Sequence, residues 1–249
     1  MVRHFREMSN QLIEKFLPDT DPFVVEIGCN DGITLQNFAK ADVRHLGVDP
    51  SANVIAAARK KGVTGMVRFF NTETADQIVD KHGNADILIA TNTMHHIEDT
   101  NSVAEGISRL LKPKGIMVQE DPYLGDMVES IAYDQIYAEH MYIWSITALD
   151  NVFNRHGMEI FDVEHNDFHG GCMRYFLCKK GAYQKSTRLN SAIDRERVIG
   201  LGNLDTFDLF REACENSRER LKSRIAEITR DGAKLVGYGA TAKSATLIN

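Results

Sequence analysis

The sequence predicts an α/β fold, a mostly parallel sheet with helices on both faces. Three observations carry that expectation. Short apolar runs alternate with helical stretches from residue 23 to residue 120, the pattern of successive βαβ units. Two of the runs, Val24 to Gly28 and Asp86 to Ala90, are apolar without alternation, as strands covered on both faces are. A glycine-bearing turn follows the first run, and an acid, Asp49, closes the second, the layout of a nucleotide-binding α/β domain.

The elements follow in order. Residues 3–17 put Phe5, Met8, Leu12 and Phe16 at helical spacing, and the Pro18–Pro22 segment stops that helix. Strands are expected at Phe23–Ile27, His45–Val48, Val67–Phe70, Ala85–Ala90 and Gly115–Glu120. Helices between them are expected at Thr34–Ala39, Ala52–Lys60, Thr74–Lys81 and Ser102–Leu111. Met158–Val163 and Met173–Lys179, separated by a polar loop, read as a hairpin that closes the sheet. An insertion rich in Tyr, His, Asp and Glu lies between Pro122 and His156. Residues 182–204 read as a polar linker, and Asp205–Arg230 as a long amphipathic helix ended by Asp231-Gly232. The last stretch, from Lys234, reads as a fresh strand, a Gly-rich turn and a helix. The expected division is therefore residues 1–181 for the main domain, and 182–249 for a linker, a long helix and the truncated start of a second Rossmann-like domain.

Composition narrows the function. Of 249 residues, 43% are hydrophobic and 26% charged, and the net charge is −6 with both signs interspersed. That argues against a nucleic-acid surface, which needs a basic stripe, and points to a small-molecule substrate. No apolar run approaches the roughly 20 residues of a membrane span, and the N-terminus lacks the apolar stretch of a signal peptide. The four cysteines, Cys29, Cys172, Cys178 and Cys214, form no C-x-x-C pair, so neither a zinc knuckle nor a disulfide framework is indicated. A reduced, cytoplasmic protein is expected, without a membrane partner and with oligomerisation open.

The densest signal is Glu26-Ile-Gly28-Cys29-Asn30-Asp-Gly32, directly after the first strand. It is not G-x-G-x-x-G, the turn that seats a pyrophosphate. Acidic and backbone groups beside glycines suit a ligand with a sulfonium and an amino-acid tail. Asp49, in the segment Asp49-Pro50-Ser51, lies twenty-one positions after Gly28, where a carboxylate accepts ribose hydroxyls. Asn71 and Thr72 follow the third strand, where adenine contacts are expected, and Asn92 follows the fourth. This ordered set matches the class I methyltransferase pattern: a Rossmann-like fold on a seven-stranded sheet, with S-adenosyl-L-methionine (SAM) as cofactor and S-adenosyl-L-homocysteine as product.

Within that class the chain resembles the sugar C-methyltransferases that act on nucleotide-linked 4-keto-deoxysugars. The segments that carry the resemblance are EIGCNDGITL, NTMHHIED, YDQIYAEHMYIWS, HGGCMRYF and GYGATAKS. The family pattern includes an N-terminal zinc-binding module, which this sequence lacks, and a C-terminal Rossmann-like domain, most of which is also lacking. The resemblance implies active-site roles for His140, His96, Tyr137 and Glu139.

The residue chemistry agrees with it. Methylation at carbon beside a ketone needs a base to take the α-proton and donors to hold the enolate oxygen. Transfer from a sulfonium needs no metal. An imidazole titrates near neutrality, so His140 is the expected base. Glu139 would orient a histidine or bind a sugar hydroxyl, Tyr137 would donate to the ketone or enolate oxygen, and His96 would stabilise the enolate or share the base role. His95 reads as structural. His169, Arg174 and Lys243 are candidates to touch the substrate, arginine because it suits a phosphate. GYGATAKS does not meet the P-loop spacing. Two other readings stay open: an O- or N-methyltransferase of another small molecule, and a non-catalytic SAM-binding subunit.

Overall fold

The apolar runs become strands β1 (Phe23–Ile27), β2 (Arg44–Asp49), β3 (Gly65–Val67), β4 (Ala85–Thr91) and β5 (Leu111–Pro122), followed by β6 (Met158–Asn166) and β7 (Cys172–Lys179). In this computed structural model the described residues are 1–17, 20–239 and 241–248, without the side chains of His169, Ala245 and Ile248. The seven strands form one sheet in the order β3-β2-β1-β4-β5-β7-β6. All neighbours pair in parallel except β7, which runs antiparallel to β5 and β6.

Helices α1 (Val2–Phe16), α2 (Leu35–Lys40), α3 (Ala52–Lys60), α4 (Thr72–His82) and α5 (Thr100–Leu110) alternate with the parallel strands. Because successive strand residues face opposite sides, the sheet feeds two cores. Val25, Leu46, Val48, Leu88 and Met117 belong to the core that holds Ala75 and Ile78 of α4 and Val103 and Ile107 of α5. Val24, Ile87, Ile89, Ile116 and Val118 belong to the core with Phe5, Met8 and Leu12 of α1, Phe38 of α2 and Ile55 of α3. The helical spacing read in α1 is thus a buried stripe. Pro18, part of its expected stop, lies outside the described residues.

Several boundaries differ from expectation. The third strand covers Gly65–Val67 rather than Val67–Phe70. It is an edge strand, and Phe69 after it is 75% exposed while Phe70 turns into the core. Residues 182–204 are not a linker. Most of them form α8 (Thr187–Ile199), capped by the Ser186 hydroxyl, which accepts from the Leu189 amide, and closed by Gly200 in the left-handed region. Its buried side carries Leu189 and Glu196, and a buried glutamate gives no apolar periodicity. Long helix α9 (Leu204–Thr229) buries none of its residues. The expected strand near Lys234 does not form: residues 233–239 are irregular, and α10 (Ala242–Ile248) follows. No helix among the described residues is long and apolar enough to cross a membrane.

Glu196 ties α8 to the insertion. The insertion contains α6 (Leu124–Ser130) and α7 (Ile146–Asn154). Glu196 accepts hydrogen bonds from the amides of Ile146 and Thr147, the Thr147 hydroxyl and the Tyr123 hydroxyl. A carboxylate at a helix N-terminus satisfies amides that have no partner within the helix. Glu196→Ala strands these donors in the interior. It is expected to lower unfolding stability by about 2–3 kcal/mol, measured by urea denaturation; a change within ~0.5 kcal/mol would mean the network is not structural.

Candidate active site

A cleft of about 530 Å³ opens at the carboxyl ends of β1 and β4. The strand order reverses there, the place where open α/β sheets bind ligands. On the β1 side, the amides of Gly28 and Cys29 both donate to the Val48 carbonyl, which folds the turn tightly against β2. Gly28 has φ +68°, and a Cβ on it would stand 2.4 Å from the Thr93 Oγ1. Asn30 follows at φ +48°, a conformation that asparagine tolerates better than most residues. The Asp49 carboxylate holds this turn, accepting from the amides of Asn30 (3.1 Å) and Ser51 (2.9 Å). Glu26 is buried on the cleft wall with no partner on Oε2. Burial pushes its pKa up to about 8, opposed in part by the Thr34 hydroxyl and the Leu35 amide.

On the β4 side, Asn92 has φ +50° and donates its amide to the Glu120 carbonyl at 2.7 Å. A 3-10 turn, Met94–His96, comes next. His95 is buried, with Nδ1 2.7 Å from Oδ1 of Asp121 at the end of β5. Gln119 donates to the other carboxylate oxygen of Asp121. His96 Nδ1 lies 2.7 Å from the Glu139 carbonyl, and His140 Nδ1 lies 2.8 Å from the Gln135 carbonyl. The loop carrying His140 is pinned by the amides of Met141 and Tyr142, which both donate to the His95 carbonyl. The three imidazoles pack with ring centres 4.1, 4.4 and 5.1 Å apart, and the Tyr137 ring lies 4.0 Å from that of His140. Burial and the neighbouring His95 and His96 push His140 down to about 4. Its imidazole is therefore neutral at physiological pH rather than half-titrated as expected. Burial, with the charge of Glu139, pushes the Tyr137 phenol up.

Of the residues expected here, Glu26, Gly28, Cys29, Asn30, Asn92, His96, Tyr137, His140 and Lys243 line the cleft together. Others stand apart. Gly32 packs under α3 against Ala58 and Val63. Asp49 acts through the Asn30 amide, and Pro50 is exposed. Asn71 spends its side chain capping α4, accepting from the Thr74 amide, with Thr72 beside it in the first turn. Glu139 does orient a histidine, but with its backbone carbonyl, while its side chain is exposed. The side chain of His169 lies outside the described residues. Arg174 is not free for a substrate. It faces Glu120 on β5 and Glu164 on β6 across the strands, and it is buried in ion pairs to both, at 2.7 and 3.1 Å. Burial alone would raise the Glu120 carboxyl, but His4 and Arg174 hold it below its ordinary value. Lys243, on α10, pairs with Asp134 at 3.8 Å.

Sequence reasoning passed over Asp121 and Gln135 and read His95 as structural, whereas all but Asp121 line the cleft. An acid at the carboxyl end of a central strand was the available signal for Asp121. The burial of His95 depends on that partner, which lies twenty-six residues away.

Residues 1–163 match the family model of the methyltransferase domain. The chain belongs to that family, whose methyl donor is SAM. Residues 167–249 match the model of the C-methyltransferase C-terminal domain. The C-methyltransferase NovU of Streptomyces niveus is 30% identical over 250 residues, which is 100% of this chain; the chain spans 59% of that protein's length. Among solved structures, a SAM-dependent methyltransferase from Archaeoglobus fulgidus aligns with TM-score 0.56 at 15% identity, covering 72% of this chain and 95% of that one. The magnesium protoporphyrin IX methyltransferase of Synechocystis, crystallised with S-adenosylhomocysteine, aligns with TM-score 0.54 at 14% identity, covering 72% and 83%. At these identities the likeness is one of fold.

Glu26 yields a pH test. With its pKa near 8, the ligand-free carboxyl is protonated at pH 7. A cationic ligand beside it favours ionisation, so the proton leaves on binding and affinity rises with pH until about 8, then levels. Calorimetry of SAM binding at pH 7 in two buffers of different ionisation enthalpy is expected to reveal release of up to one proton, absent in Glu26→Gln. Identical heats in both buffers for the unmodified protein would refute this.

Proposed function

We propose that this chain methylates carbon in a nucleotide-linked 4-keto-deoxysugar, with His140 taking the proton beside the ketone. The observation that carries the proposal is the joining of two half-sites in one cleft: the β1 turn with Glu26, Gly28 and Asn30, and the group formed by His96, Tyr137 and His140. The 30% identity to a protein named as a C-methyltransferase, over the whole chain, supports methylation at carbon, as does the match of residues 167–249.

The residues fit SAM. A buried carboxyl with one oxygen left without a partner, Glu26, suits a positively charged ligand, and the absence of a side chain on Gly28 leaves the turn open where a Cβ would collide with Thr93. In this reading Glu26, Gly28, Cys29, Asn30 and Asn92 hold it, with Asp49 behind Asn30. When bound, SAM supplies a methyl group made electrophilic by the adjoining sulfonium.

The tautomers then assign roles. A carbonyl only accepts, so Nδ1 of His140 carries hydrogen and Nε2 is a bare base. It takes the α-proton and leaves the C–H electron pair as an enolate, whose carbon would be the nucleophile toward the methyl that SAM would supply. The His140 proton returns to water. Tyr137, which keeps its proton, donates to the enolate oxygen. His96 has the same tautomer as His140. In its neutral form it accepts rather than donates at Nε2, which favours sharing the base role over stabilising the enolate. In this reading Lys243, which lines the cleft, meets the anionic end of the nucleotide. The catalytic unit comprises the sheet and its helices through α8, with α9 and α10 appended. A cytoplasmic location accords with the buried, unpaired thiols of Cys29, Cys172 and Cys178.

The test is solvent deuterium entry into a nucleotide-linked 4-ketosugar without SAM. Exchange is expected, and His140→Ala is expected to slow it at least ~100-fold, with affinity for S-adenosylhomocysteine within twofold of the unmodified protein. Undiminished exchange in that variant would remove His140 from the base role.

A further inference from the structure

We infer that His95, His96 and His140 form a site for one divalent transition-metal ion of the zinc or cobalt type. The inference rests on the reading above, because the cation would occupy the same His140 nitrogen that takes the substrate proton.

One ring nitrogen from each of the three lies within 4.8 Å of the other two. Their hydrogen bonds decide which nitrogens are available. Nδ1 of His95 faces the Asp121 carboxylate, Nδ1 of His96 the Glu139 carbonyl and Nδ1 of His140 the Gln135 carbonyl. All three partners are acceptors, so each Nδ1 carries a hydrogen, and in the neutral ring Nε2 is then the lone pair. Three such histidines lining one cleft suit a cation. The outer partners are also those of metal-bound histidines, which donate their second N–H to a carboxylate or a carbonyl.

The donor set selects the ion. Three imidazoles suit zinc, cobalt, nickel or copper, and calcium and magnesium call for oxygen ligands. Zinc–nitrogen bonds of about 2.0–2.1 Å in a tetrahedron need the three nitrogens close together, and these lie within 4.8 Å of one another. The fourth coordination position would face the cleft that the three residues line. Lys243, a cation on the same cleft, is offset by Asp134.

The consequence is regulatory. A His140 Nε2 that holds a metal cannot accept a proton, whereas the β1 half of the cleft is untouched. The metal-bound form is therefore blocked in proton removal and still binds S-adenosylhomocysteine.

The experiment uses the untagged chain, stripped with chelator and titrated with Co2+. One Co2+ per chain is expected, with visible absorption of a four- or five-coordinate nitrogen site. Zn2+ should displace it, and the signal should vanish in His95→Ala and in His96→Ala. His45→Ala, a change far from the cleft, should keep it. Both site variants are checked for unchanged S-adenosylhomocysteine affinity, which separates ligand loss from unfolding. Deuterium exchange into the ketosugar should fall at least tenfold with one equivalent of Zn2+ and return with chelator. No visible band, or a band that survives in His95→Ala, overturns the site. Stoichiometric uptake without inhibition of exchange overturns its regulatory consequence. Absent uptake in a chain that exchanges normally sinks this inference alone. Absent exchange in the metal-free chain sinks the functional reading.

Discussion

The constraint on which the rest depends is the position of β1. It is hydrogen-bonded to β2 on one side and β4 on the other, and the connections that leave these strands cross the sheet in opposite directions. Two loops that part company at the carboxyl edge must leave a crevice between them. Most groups proposed for the methyl donor lie on β1 or the loop after it, with Asn92 facing them from the β4 loop, and most groups proposed for the substrate hang from the β4 loop or from the insertion pinned to it through the His95 carbonyl. The chemistry is thus assembled by strand order before any particular side chain is considered.

Buried carboxyls do the next share of the work, at the same edge of the sheet. Glu120 is paired with Arg174 and His4, Asp121 accepts hydrogen bonds from His95 and Gln119, and Glu196 accepts from the α7 amides. Burying charge is costly unless each lone pair finds a partner, and these three have them. Glu26 differs: one oxygen has none, and burial raises its proton affinity. A satisfied carboxylate shapes the site, while an unsatisfied one on a cleft wall marks where a positively charged ligand belongs.

What could be read from the sequence follows from this division. β1 and β4 were legible because they are buried on both faces and punctuated by Asp, Gly and Asn. The β1 turn was legible because only glycine meets the backbone demand at Gly28. The third strand was misplaced because, at the sheet edge, its side chains are half exposed and carry no clear period. α8 was invisible to apolar patterning because its anchor is Glu196, buried by hydrogen bonds rather than by hydrophobicity. Arg174 looked like a phosphate ligand because its two acidic partners come from other strands, and no spacing along the chain reveals that pairing. The Asn71 side chain caps the helix it precedes, a role that its place after the third strand does not reveal. Residue chemistry and family resemblance point to Tyr137, His96 and His140, which line one cleft, but the hydrogen-bond partners of the two histidine rings come from backbone carbonyls that spacing does not reveal.

A crystal structure of the chain with S-adenosylhomocysteine tests the central claim most directly. The account predicts a thioether sulfur between Gly28 and Asn92, turned toward the His96 and His140 rings, with the adenosine running over Asn30 toward Asp49. A product molecule seated elsewhere, or a sulfur directed away from the imidazoles, would contradict it.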